Sequence, residues 1–172
     1  GGTRRDVAEG RSGGGGEGHT TEGRPTTRCA LLEWGVGSRA AGPARTFLAV
    51  GTDRATAAPG VLDAIREADI SVLPPSNPVV SIGIILGVPG VRDALRGSVA
   101  PVVGVSPLIG GAPIRGHADA CLSAIGGECT PQAVAGLYAA FLHGRLVDPA
   151  EAPTPGCAPR PPVPVQPLWV RG

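Results

Sequence analysis

Between residues 47 and 147 the apolar positions fall into short blocks whose period switches between helix and strand. After a short apolar run over residues 47–50 and the Pro59-Gly60 break, Val61, Leu62, Ile65 and Ala68 lie on one face of a helix predicted over residues 61–68. Residues 69–73 (Asp-Ile-Ser-Val-Leu) read as a short strand stopped by Pro74 and Pro75, which have no amide to donate to a neighbour. Two helical segments follow over residues 79–86 and 90–95, separated by Pro89. Residues 101–106 are apolar almost throughout, the pattern of a strand buried on both sheet faces. Helices are predicted over 117–125 and 130–143, the second opened by Thr130 as N-cap and Pro131 at the first helical position. Residues 145–147 form a last short strand. Alternating helices and strands predict an α/β fold with a mostly parallel sheet, helices on both faces and right-handed crossovers. Ligands of such sheets sit beyond the carboxyl ends of the strands, here the loops 74–78 and 107–116.

The ends of the chain lack this pattern. Residues 1–28 are rich in Gly, Arg and Thr without either period and are expected to be disordered. From Pro153 onward the prolines favour an extended polyproline tail that cannot join a central sheet. The expected organisation is a Gly-rich segment over 1–28, one α/β domain over 29–150 and a Pro-rich tail over 151–172.

Composition narrows the function classes. The 172 residues carry 15 basic and 14 acidic side chains, a net charge of +1, so no basic footprint for nucleic acid or anionic membrane is present. Aromatics make up 3%, with 28 Gly and 19 Pro, so the core must come from Ala, Val, Leu and Ile. Cys29, Cys121, Cys129 and Cys157 lack the paired spacing of a zinc site and read as small buried hydrophobes. With no signal peptide and no long apolar run, a cytoplasmic protein free of membrane contacts is expected.

The candidate chemistry lies in the two loops. Asn77 is placed as a helix N-cap with Pro78 as the first helical residue, and the amides that follow are expected to point outward toward an anion. The helix dipole there contributes about 0.3–2 kcal/mol. Ser76 and Ser81 add hydroxyls; a capped helix with no ligand is the plain alternative. In the second loop Gly110 and Gly111 let main-chain amides approach a ligand, and Arg115 can clamp a phosphate with its planar fork. A glycine turn with a solvated Arg115 is the competing reading.

No nucleophile–base pair emerges. His19 falls in the head, His143 at a helix end, and His117 at a helix start where exposure is the ordinary outcome. Asp69, Asp119 and Asp148 are magnesium candidates by position only, the first two reading better as helix-surface charges. Trp34 and Trp169 read as a packing residue and a tail residue, neither with an aromatic partner that would suggest base stacking.

The strings ADISVLPPSNPVVSIGIILGVPGVRDAL and APVVGVSPLIGGAPIRGHAD resemble the 2-phospho-L-lactate transferase family, in particular its actinobacterial phosphoenolpyruvate transferase members, which build the deazaflavin coenzyme F420. The similarity runs from Leu31 to Asp148. It implies a Rossmann-like fold and transfer of a phosphoenolpyruvyl or phospholactyl group from a guanosine-diphosphate-linked donor to the ribityl hydroxyl of a deazaflavin (Fo). Guanosine monophosphate is released, magnesium is the implied cofactor, and a homodimer is one assembly to test. Ser76, Asn77 and Ser81 match the family's phosphate loop; Gly110, Gly111 and Arg115 match its second loop. Catalytic residues and metal ligands remain unassigned.

The chain departs from the family in places. The opening strand, Gly-rich loop and acidic region are not seen ahead of Leu31, and a Gln-Glu-aromatic pattern has become Leu32-Glu33-Trp34. Gly37 stands where an Arg is usual, His117 where a Pro is usual, and the proline tail replaces a C-terminal helix. The expected fold is therefore incomplete, truncated at both ends. Three readings stay open: a working transferase, a truncated inactive relative that only binds nucleotide phosphates, and an interaction protein using the Pro-rich segment 160–167.

Overall fold

The computed structural model describes residues 4–9, 19–21, 24–31, 34–35, 44–152 and 164–168. In chain order the strands are β1 (Arg4–Glu9), β2 (His19–Thr21), β3 (Arg24–Ala30), β4 (Thr46–Leu48), β5 (Ser71–Leu73), β6 (Val102–Val105), β7 (Leu108–Ile109), β8 (Ala112–Pro113) and β9 (Gly144–Leu146). The helices are α1 (Val61–Glu67), α2 (Gly83–Gly87, running on from a π-type first turn over Pro78–Ile82), α3 (Val91–Gly97), α4 (Ala118–Ala124) and α5 (Pro131–Gly136). The proline punctuation places these boundaries: β5 ends before Pro74, α2 and α3 part around Pro89, and Pro131 opens α5 under the Thr130 cap.

One parallel sheet has the order β5-β6-β9. β5 and β6 are adjacent and parallel, so the loops leaving their carboxyl ends emerge at the same sheet edge. Val102 and Gly104 of β6 are buried, whereas Val103 and Val105 are half-buried and Val72 of β5 is 54% exposed. One face is thus packed and the other only partly covered, less than the apolar run in β6 predicts. The packed face rests on a core of Leu86, Leu95, Val102, Leu108, Leu122, Tyr138, Phe141 and Leu142. The fold is an open α/β, Rossmann-like arrangement.

Two expectations about the ends change. Residues 1–28 were expected to lack structure, yet β1, β2 and most of β3 lie there, in a second sheet of order β2-β3-β1-β4. β1 pairs in parallel with both β3 and β4, and β2 runs antiparallel to β3. β1 forms through main-chain pairing with strands further along the chain, which leaves no side-chain period to read. The Pro-rich tail also pairs: the Val147 N–H donates to the Pro164 carbonyl at 3.2 Å, and the Gln166 N–H donates to the Val147 carbonyl at 3.0 Å. The prolines are tolerated because this is an edge addition that needs only the carbonyl of Pro164 and the amide of Gln166.

The helix predicted over 130–143 is regular only to Gly136. Beyond it, Tyr138 and Phe141 donate to the carbonyls of Ala135 and Tyr138 at 3.0 Å each, the tighter three-residue spacing. These turns carry Tyr138, Phe141 and Leu142 into the core. Among the described residues no single helix is long and apolar enough to cross a membrane; the pair Pro78–Gly87 and Val91–Gly97 passes a length and composition test together but is bent by 84°.

Candidate functional site

The turn after β5 is built around Asn77. Its Oδ1 accepts from the amides of Val79 at 3.0 Å and Val80 at 3.1 Å. Its main-chain carbonyl accepts from Ser81 at 3.1 Å and Ile82 at 3.0 Å, the latter a five-residue, π-type bond. Gly83 is needed here: a Cβ on it would stand 3.0 Å from the Pro78 carbonyl oxygen. Sequence reading missed that role because a glycine at φ −59° gives no turn signal.

This geometry corrects one expectation. The first amides of the helix do not point outward unoccupied. Pro78 has no N–H, and the next four donate to Asn77. The free donor of this turn is a hydroxyl instead: Ser76 Oγ donates to Ser81 Oγ at 2.8 Å, both side chains half-buried. Ser81, having accepted that proton, keeps its own for a further acceptor. The Asn77 side chain is also hydrogen-bonded to Cys121 of α4. Burial pushes the Cys121 thiol up, the Asn77 bond opposes that, and the nearby Asp119 charge adds to it. The thiol is therefore a neutral packing group, as free buried cysteines commonly are.

The second loop is a β-hairpin. Gly110 (φ 60°) and Gly111 (φ 74°) close β7 onto β8, a two-residue turn with both central residues left-handed. The Gly111 amide donates to the Glu151 carboxylate, and Cys129 Sγ lies 3.5 Å from the Gly111 carbonyl. A carboxylate thus sits on a donor expected to face a ligand phosphate. Arg115 is exposed, with no hydrogen bond or ion pair among the described residues. No hydrogen bond among the described residues joins Ser76, Asn77 or Ser81 to Gly110, Gly111 or Arg115. The loops are linked through α4, which contacts both the Pro78–Ile82 turn and β8.

Trp34 was expected to be a packing residue, and its burial bears that out. It is 2% exposed and meets Phe47 edge-on at 5.5 Å and His117 at 5.8 Å. These partners are distant in sequence, and the cluster seats β4 against the start of α4. Trp169 lies outside the described residues. Two apolar clefts flank Phe47. One of about 260 Å³ reaches Pro78, Val79, Arg92 and Tyr138. The other, of about 280 Å³, reaches Leu31, Val80 and Ile84. The Arg92 guanidinium lies 5.6 Å from the Phe141 ring centre. Burial raises the Tyr138 hydroxyl pKa, with Arg92 opposing it, so the phenol stays protonated. Arg92 and Tyr138 carried no motif by which the sequence could single them out.

Of the remaining candidates, Asp148 is buried and committed: Oδ1 accepts from the Ala150 amide and Oδ2 from the Leu168 amide, each at 3.0 Å. Asp69 and Asp119 are exposed. His143 is exposed, but its Nδ1 accepts from the Val102 amide at 3.1 Å and secures the start of β6. Among the described residues no group of three or more His, Cys, Asp or Glu side chains is placed to hold a metal ion.

Comparison with known proteins gives this arrangement its family. The family 2-phospho-L-lactate transferase CofD matches residues 22–157, a span that includes β3, both loops and the chain beyond β9. The chain belongs to that family. It is 60% identical over 123 residues to a phosphoenolpyruvate transferase of Thermobifida fusca, covering 71% of this chain and 38% of the relative. A phosphoenolpyruvate transferase of Kitasatospora aureofaciens is 52% identical over 132 residues, 76% of this chain and 41% of the relative. One of Mycolicibacterium smegmatis is 55% identical over 116 residues, 67% of this chain and 36% of the relative. The chain thus spans about two fifths of the length of the curated relatives it matches. Both loops of this 2-phospho-L-lactate transferase relative fall inside the matched region.

Proposed function

We propose that the chain serves a transferase that moves a phosphoenolpyruvyl or phospholactyl group from a guanosine-diphosphate-linked donor to a deazaflavin (Fo) in coenzyme F420 biosynthesis. The observation that carries this reading is the Ser76–Ser81 hydroxyl pair, held by the Asn77 cap at the carboxyl end of β5 in a chain 60% identical to a phosphoenolpyruvate transferase. The hydroxyl oxygen of the deazaflavin attacks the phosphorus bearing the three-carbon acid, the bond to the guanosine monophosphate phosphate breaks, and that nucleotide leaves. Such chemistry needs positioning and charge stabilisation more than a covalent enzyme intermediate.

In this reading the Ser81 hydroxyl donates to a phosphate oxygen, Ser76 holds it by donating to Ser81 Oγ, and Asn77 fixes the turn. Arg115 supplies a mobile positive fork, and the Gly111 amide becomes a phosphate donor once Glu151 moves off it. Magnesium is the ion that the family resemblance implies, and it would neutralise phosphate charge. The described residues do not supply a ligand set for it, and no step here is routed through it. A cytoplasmic setting, and a homodimer as the assembly to test, accompany the proposal.

A second reading, binding of nucleotide phosphates without turnover, keeps the Ser81 hydroxyl as the phosphate contact and assigns the loops no further step. The test is incubation of the purified chain with magnesium, deazaflavin and the guanosine-diphosphate-linked donor, followed by mass spectrometry. Deazaflavin product with stoichiometric guanosine monophosphate is expected. Retained nucleotide binding without product supports the second reading; absence of both contradicts the two.

A further inference from the structure

Arg145 of β9 is 9% exposed and stands in register with Gly104 of β6, on the packed face of the sheet. Its Nη1 donates to the Pro131 carbonyl at 3.0 Å, while its Nε is buried with no hydrogen-bond partner. No carboxylate among the described residues forms an ion pair with it. A guanidinium keeps its charge in proteins, and buried charges are ordinarily paired. Here the described partner is a main-chain carbonyl at the start of α5, and Nε alone is buried without one.

Beside Arg145 lies a cavity of about 20 Å³, lined by Gly104, Ser106, Pro131, Tyr138 and Leu142 among others. Gly104 contributes no side chain; a Cβ there would come 3.3 Å from Leu142 Cδ1. The space takes one small occupant and excludes a tetrahedral oxyanion such as phosphate. The Ser106 hydroxyl is already committed to Leu108, accepting from its amide at 3.2 Å and donating to its carbonyl at 3.4 Å. A buried water is held by two to four polar partners and would leave the positive charge uncompensated. A monovalent halide satisfies Nε and the charge together and tolerates apolar walls.

We propose that Arg145 holds a single halide ion, chloride under ordinary conditions, in the cavity over Gly104, tying β9 to the start of α5. This site is separate from the Ser76–Ser81 turn and does not rest on the transferase reading.

The test is thermal unfolding of the full chain in sodium chloride, sodium bromide and sodium gluconate at equal ionic strength. Chloride and bromide should raise the melting temperature by about 2–4 °C over gluconate. Arg145→Met should abolish that difference, and Gly104→Ala, which fills the cavity, should do so as well. Should neither variant fold, bromide-soaked crystals of the unmutated chain decide: an anomalous peak beside Arg145 supports the site. Equal melting in all three salts, or a water without anomalous signal at that position, overturns it.

Discussion

Ser76 Oγ donates to Ser81 Oγ across 2.8 Å, closing the turn between the end of β5 and the helix that follows. Asn77, between them, uses both Oδ1 and its carbonyl to consume the first four amides after Pro78. The turn is therefore rigid and offers a hydroxyl rather than main-chain N–H groups. In a phosphate site this exchanges a nest of amides for one rotatable donor, the Ser81 hydroxyl, held in place by Ser76 and the cap.

The role of Asn77 is measurable as stability. Asn77→Ala leaves the half-buried amides of Val79 and Val80 unpaired and removes the bond to Cys121. Its cost should reach about 1–3 kcal/mol, from the middle of the range for a lost cap to above it. Urea unfolding of the variant and the unmutated chain reads this as a lower midpoint with an unchanged slope. A midpoint within error of the unmutated protein would show that the cap does not organise the turn.

Glu151 occupies the Gly111 amide with a carboxylate, so it competes with any phosphate bound there. Glu151→Ala should tighten guanosine diphosphate binding by about three- to tenfold, since an incoming phosphate no longer displaces an anion. Calorimetric titration of the two proteins checks this. Weaker binding by the variant would mean that Glu151 supports the turn instead of competing for it.

The pH dependence of stability follows mainly from two groups that burial raises, Cys121 and Tyr138, with the less buried Cys129 adding to the thiol part. Both are neutral when protonated, and the unfolded chain loses these protons at lower pH than the folded chain. Their contribution is fully present below the ordinary thiol range. It is lost as pH rises, first beyond the ordinary thiol range through Cys121 and then beyond the ordinary tyrosine range through Tyr138. Denaturation midpoints should fall on the alkaline side, and Cys121→Ser should reduce the earlier part of that fall, leaving the share of Cys129. A flat alkaline limb would contradict the burial assigned to both groups.

What the sequence disclosed was local. Pro74, Pro89, Thr130 and Pro131 act on their own backbone and immediate neighbours, so the elements of the parallel sheet and their order followed from spacing. The strands in the head did not: β1 is held by main-chain pairing to β3 and β4, which requires no alternation of its own side chains. The docking of Pro164 and Gln166 on Val147 was hidden for the same reason. In the candidate site, Asn77 was legible as a cap and Ser76 and Ser81 as nearby hydroxyls. How completely the cap consumes the amides depends on the π-type turn that Gly83 permits. The partners of Trp34, Phe47 and His117, come together only through tertiary packing.

The central claim is that the Ser76–Ser81 turn grips the phosphates of a guanosine-diphosphate-linked donor. Calorimetric titration of guanosine diphosphate into the unmutated chain and into Ser76→Ala/Ser81→Ala tests it most directly, with circular dichroism establishing that the variant is folded. Saturable binding by the unmutated chain, weakened about 10- to 100-fold in the folded variant, is predicted from one lost hydrogen bond to charged oxygen and the Ser76 bond that holds its donor. Equal affinity in the two proteins, or no binding by either, would contradict the account.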